Sequence, residues 1–128
     1  DNCLSLFFGF FVTRAYLFND LEDIGFVYAQ YSRLMQHWNS FDIGPIHTLR
    51  YESLVGGPEK LILSLLYFLQ LDWDPGCLEF HEQGSAVKTL SAWQVREPIY
   101  SRSVGRWRNY EPWLEPLRVT LVKHGLAN

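Results

Sequence analysis

Apolar residues recur at three- and four-residue spacing along several stretches of this chain, and at two-residue spacing in one. Leu4, Phe7, Phe8, Phe11 and Val12 form a helical stripe over Asn2–Thr13, with Asp1 or Asn2 in place to cap it and Ser5 in its first turn. A longer stripe runs through Leu21, Ile24, Val27, Tyr28, Tyr31, Leu34, Met35 and Trp38 to about Asn39, opened by a capping-box pair, Asn19 and Glu22. Gly44 and Pro45 close the loop after it. Ile46–Tyr51 alternates, with Ile46, Thr48 and Arg50 on one side and His47, Leu49 and Tyr51 on the other, and predicts a strand. A single strand cannot satisfy its own backbone groups, so its neighbours are expected outside these residues. Gly56, Gly57 and Pro58 predict a turn with proline at the first helical position. The helix that follows, to Gln70, has almost no polar face and is expected to be buried on most sides. Asp74 is placed to cap a short helix from Pro75 carrying Cys77, Leu78 and Phe80, and Gln83–Ser85 break it. A last helix is predicted over Glu111–His124 with Trp113, Leu114, Leu117, Leu121 and Val122 facing inward. Pro116 leaves two readings of its start, an irregular first turn or a later beginning.

Composition adds that the chain folds: 128 residues, 48% of them apolar and 16% aromatic, are enough for one domain with one core. The opening run DNCLSLFFGFF starts without methionine inside an apolar helix, so the sequence is expected to be cut from something longer. Leu4–Val12 is too short to span a bilayer and has no basic residues before it, so neither a membrane span nor a secretory signal is expected. Cys3 and Cys77 form no metal-spaced cluster and are expected as free thiols in a reducing, cytoplasmic compartment. His37, His47, His81 and His124 lack zinc-site spacing, and no metal is expected.

Charge singles out one stretch. From Lys88 to Arg108 five basic residues (Lys88, Arg96, Arg102, Arg106 and Arg108) face one acid, Glu97; the stretch carries +4 in a chain of −3, leaving −7 for the rest. A cationic island in an acidic chain suits a small anion better than nucleic acid, although a solvated loop explains the charges equally well. Hydroxyls at Thr89, Ser91, Ser101 and Ser103, a turn-capable Gly105 and the aromatics Tyr100 and Trp107 are interleaved with the arginines, as phosphate oxygens and a purine ring require.

The ordered set DNCLS, YSRLMQHW, RYESLVGGPE, LDWDPGCLEFH and VKTLSAWQVREPIYSRSVGRWRNYEPWLEPL resembles the C-terminal half of a bacterial sulfotransferase, in the branch fused behind tetratricopeptide repeats and related to protein-tyrosine sulfotransferases. The resemblance covers nearly the whole chain. It implies an α/β class, the mostly helical C-terminal part of a P-loop-type three-layer fold with one clear strand, and 3′-phosphoadenosine 5′-phosphosulfate (PAPS) as cosubstrate for sulfuryl transfer to a hydroxyl or amine acceptor. No nucleic-acid or membrane partner is expected. Asp1 and Ser5 match the last two anchors of the pattern R-x-P-x-D-x-x-x-S that grips the 3′-phosphate, so Ser5 is the best cofactor-binding candidate. Tyr51 matches a tyrosine near the adenine and phosphates, with core packing an equal account of it. Arg102, Ser103, Gly105, Arg106 and Trp107 match the loop that folds over the cofactor. In the tyrosyl-protein branch a serine that helps stabilise the transferred group aligns with Gly105, and this chain departs from that pattern. Ser91 and Arg96, with Thr89 and Gln94, match the loop towards the acceptor. No GxxxxGK[ST] loop occurs, and the base of such enzymes lies upstream. His81 and Glu82 are base candidates by residue type alone, better explained as the end of a short exposed helix. The chain is therefore expected to be the C-terminal portion of one domain, inactive by itself. The competing class is a non-catalytic helical interaction module.

Overall fold

The computed structural model describes residues 1–9, 18–41, 44–82 and 96–126. Its helices are α1 (Asn2–Phe7), α2 (Leu21–Asn39), α3 (Tyr51–Gly56), α4 (Pro58–Leu69) and α5 (Glu115–Lys123), with 3₁₀ segments at Pro75–Cys77, Phe80–Glu82 and Arg106–Trp113. Two units emerge: Asp1–Ile46 with Gly105–Asn128, and His47–Val104.

The first unit is built on α2. Asp20, one residue after the expected cap, starts it: its carboxylate accepts the N–H groups of Glu22 and Asp23 at 2.7 and 3.2 Å. α5 crosses α2 where the latter has no side chain. A Cβ on Gly25 would lie 3.0 Å from Thr120 Cβ and Cγ2 and 3.3 Å from Leu117 Cδ1, so glycine permits the close approach. The core of the unit is Cys3, Ile24 and Leu117, with Leu6, Phe18, Leu21, Tyr28, Leu114 and Leu121 against it; Ile24 is 0% exposed. Of the α2 stripe Ile24 is buried and Leu21, Val27, Tyr28 and Met35 are half-buried, whereas Tyr31, Leu34 and Trp38 face outward. In α1 the buried residues are Cys3 and Leu4, while Phe7 and Phe8 are exposed; the expected continuation to Thr13 lies outside the described residues.

Pro116 decides the start of α5. A proline within the first two helical positions forfeits no helical hydrogen bond, so the α-helix begins at Glu115, and the preceding residues form a 3₁₀ segment that contains Pro112. Leu117 is buried as expected. Trp113, now outside the helix, is 69% exposed, and Val122 is also exposed, because the inward face runs through Leu117 and Leu121.

The second unit corrects the expected fold class. Among the described residues all regular structure is helical: Ile46–Arg50 forms no strand, and the α/β reading with one clear strand does not hold. Arg50 is extended (φ −94°, ψ 129°), as alternation predicts, but its carbonyl accepts Ser53 and Leu54 N–H at 3.1 Å and opens α3 at Tyr51. Local extension becomes a strand only when a neighbour pairs with it, and a six-residue alternation carries no information about that neighbour.

α4 starts at Pro58 as expected and closes with Gln70 in the left-handed region, where Leu71 N–H bonds Leu66 C=O at 2.9 Å. Its predicted burial on most sides is not found: no residue of α4 is buried, and Tyr67 is 87% exposed. Apolarity of a helix states what it can bury, not what covers it. Asp74 caps the Pro75–Cys77 turn, accepting Gly76 N–H at 2.8 Å.

Candidate functional site

In the first unit Asp1 lies at the N-cap of α1, yet its side chain caps nothing in that helix. The carboxylate turns to a loop more than a hundred residues away, accepting Gly105 N–H on Oδ2 at 2.7 Å and Trp107 N–H on Oδ1 at 2.8 Å. Gly105 makes this possible by adopting φ 69°, ψ 13°, a left-handed conformation that costs a residue with a Cβ. Followed by the 3₁₀ turn from Arg106, it aims alternate backbone amides at one point, the geometry of an anion-binding nest.

Ser5 belongs to the same small assembly. Its N–H bonds Asp1 C=O at 2.9 Å, so one residue links the first turn of α1 to the Gly105–Trp107 loop, and Ser5 itself is exposed. Arg106 is exposed, with its guanidinium carbon 5.3 Å from the Phe8 ring centre and 5.9 Å from that of Tyr110; those rings stand 5.0 Å apart. Ring faces beside a guanidinium attract its charge and help to fix its position. Trp107 is half-buried, carries Arg108 at 5.1 Å, and lines a cavity of about 450 Å³ with Asp1, Cys3, Leu114 and Leu117. Burial raises the Cys3 thiol above its ordinary pKa, so the thiol stays neutral.

The remaining predicted residues fall in the second unit. Tyr51 Oη donates to Tyr100 C=O at 2.9 Å. Arg102 stands 3.8 Å above the Tyr100 ring and pairs with Glu97. Ser103 is half-buried and Arg96 exposed. Ser91, with Thr89 and Gln94, lies outside the described residues. A cavity of about 400 Å³ here is lined by Leu49, Leu54, Leu61, Ile62, Leu65 and Phe80, with Tyr51, Tyr100 and Glu97 among its polar groups.

Two partners escaped sequence reasoning. Glu97 stood out only as the lone acid of the basic stretch, and its five-residue spacing from Arg102 was the available signal. Asp1 was visible as part of a phosphate-binding pattern, but no local rule shows that its carboxylate reaches residue 105. Among the described residues no three His, Cys, Asp or Glu side chains converge as a metal site, and no helix is long and apolar enough to cross a membrane.

An uncharacterized protein of Aquifex aeolicus (strain VF5) is 40% identical over 106 residues, which are 83% of this chain and 14% of that protein, so the chain spans a small part of that relative's length. No solved structure matches. Residues 1–75, which include Asp1, Ser5 and Tyr51, match the model of the Sulfotransferase family. The matched stretch is more than half of the sequence, and the chain therefore belongs to the sulfotransferase family.

Proposed function

We propose that this chain supplies the 3′-phosphate side of a PAPS site in a sulfuryl transferase acting on a hydroxyl or amine acceptor. The observation that carries the reading is the Asp1 link, which keeps Ser5 and the Gly105–Trp107 loop in one local assembly. The exposed residues Ser5 and Arg106 fit a phosphate, one as a hydroxyl donor and the other as a charged one. Trp107 lies on the same loop as an apolar neighbour. For Tyr51, Arg102, Ser103, Ser91 and Arg96 the proposal rests on the resemblance alone. Arg102 brings a charge that Glu97 already pairs.

Sulfuryl transfer, like phosphoryl transfer, proceeds by in-line attack and is accelerated mainly by position and by neutralised charge. PAPS supplies the activated sulfuryl group. In this reading the residues here orient the nucleotide by its 3′ end, and no GxxxxGK[ST] loop for the 5′ end occurs in this sequence.

Isothermal titration of the full-length protein with adenosine 3′,5′-bisphosphate tests the proposal. Arg106→Ala is expected to lose about 1.5–3 kcal/mol of binding, the worth of a charged hydrogen bond, and Ser5→Ala about 1 kcal/mol. Arg106→Ala with unchanged affinity removes that residue from the site. A second reading, a non-catalytic interaction module, is favoured by the exposed apolar residues Leu63, Tyr67 and Leu69 of α4 and Leu71 beyond it. It predicts no nucleotide binding in the same titration.

A further inference from the structure

The backbone nest at Gly105–Trp107 presents two amides to an anion, and that anion is part of the chain. Gly105 and Trp107 N–H both donate to the Asp1 carboxylate, one to each oxygen, at 2.7 and 2.8 Å. Charge-assisted bonds of this length are the strong class, and two of them from one carboxylate fix both position and direction. A phosphate approaching these amides would have to expel a carboxylate held by α1, whose Ser5 N–H bonds the Asp1 carbonyl at 2.9 Å.

We infer that Asp1 is a positioning residue, a strut that permanently occupies the loop's amides and thereby holds Arg106 where it meets the 3′-phosphate. The inference rests on the nucleotide reading above and deepens it, because with the loop's amides taken recognition of the phosphate falls to side chains. The loop supports this division of labour. Gly105 turns left-handed to bring its own N–H and that of Trp107 onto Asp1, and the residue between them, Arg106, stays exposed with Phe8 and Tyr110 beside its guanidinium. The alternative is that Asp1 merely fills an empty phosphate site and leaves when nucleotide arrives. The two predict opposite signs: removing a strut weakens nucleotide binding, and removing a competitor strengthens it.

The test titrates wild type, Asp1→Ala and Asp1→Asn with adenosine 3′,5′-bisphosphate and with adenosine 5′-monophosphate, and follows hydrogen exchange at the Gly105 and Trp107 amides. Wild type is expected to prefer the bisphosphate. Asp1→Ala is expected to reduce that preference about tenfold or more while leaving monophosphate affinity nearly unchanged. Asp1→Asn, which keeps one acceptor and is the milder change should alanine unfold the chain, is expected to fall between the two. Exchange at both amides should accelerate in Asp1→Ala. An unchanged preference, a tighter bisphosphate complex in either variant, an equal loss for both nucleotides, or unaltered exchange at both amides each overturns the inference. A wild type indifferent to the 3′-phosphate removes the nucleotide reading itself and this inference with it, and the wild-type titration alone separates that failure from the others.

Discussion

Cys3 and Tyr28 lie together in the core of the first unit, and each ionises with difficulty. Burial is the main cause for both; for Tyr28 the nearby Cys3 and Tyr31 add to it. The folded protein therefore binds these protons more tightly than the unfolded chain does. Below about pH 9, the ordinary value of a thiol, both states hold the Cys3 proton and stability is whole. As pH rises past that value the unfolded chain releases its proton first, so stability falls, and above pH 10 the same sign applies to Tyr28. Urea midpoints measured from pH 8 to 10.5 should decline; Cys3→Ala should flatten the part between 9 and 10, and Tyr28→Phe the part above. A wild-type midpoint constant over that range would mean that the thiol is open to water in solution. Neither shift was readable in the sequence, where Cys3 is simply a free thiol: periodicity marks Leu4, Phe7 and Phe8 as the inward face, whereas Cys3 and Leu4 are the residues enclosed.

Helix positions were largely legible, and their environments were not. α2, α4 and the Asp74-capped turn follow from caps, prolines and spacing, all of which act within a few residues. What the stripes could not reveal is the crossing partner. α2 buries Ile24, Gly25 and Ala29 against its neighbours, whereas Tyr31, Leu34 and Trp38 on the same stripe remain outside. The strand failed for the same reason, since pairing is a property of two segments. The candidate site divides likewise: Ser5, Gly105 and Arg106 were named from the family resemblance, while the carboxylate that links α1 to the loop depends on tertiary placement. Gly25 gives this scale its test. A valine there would push its Cβ to 3.0 Å from Thr120 Cβ, an atom bonded to the α5 backbone that cannot swing aside, and to 3.3 Å from Leu117 Cδ1. Overpacking of this kind costs about 1–3 kcal/mol, more than the helix propensity gained on replacing glycine, which is below about 1 kcal/mol. Gly25→Val should lower the unfolding midpoint in urea. A midpoint equal to wild type would show that α5 slides on α2 without loss.

The two units differ in how their apolar residues are used, and stability should differ accordingly. In Asp1–Ile46 with Gly105–Asn128, Cys3, Leu4, Ile24, Ala29 and Leu117 are buried, drawn from three helices. In His47–Val104 no described residue is buried; Leu63, Leu69, Leu71 and Trp73 are exposed, Tyr67 almost completely. Hydrogen-bonded amides exchange through openings whose cost rises with the apolar surface that each opening must expose to water. α2 and α5 share such surface, so their amides open only when the first unit as a whole does. α4 has less to lose, since its side chains against α3, Leu49, Phe80 and His47 are only half-buried, and a helix of 12 residues is marginal without tertiary support. Native-state hydrogen exchange should therefore show the slowest amides in the middle of α2 and in α5. Those of α4 should be faster by at least about tenfold, since even 1.4 kcal/mol of extra opening cost is that factor. Equal protection of α4 and α2 would require the exposed face of α4 to be covered in solution. It would place the interaction-module reading ahead of the nucleotide site as the first property of this chain to pursue.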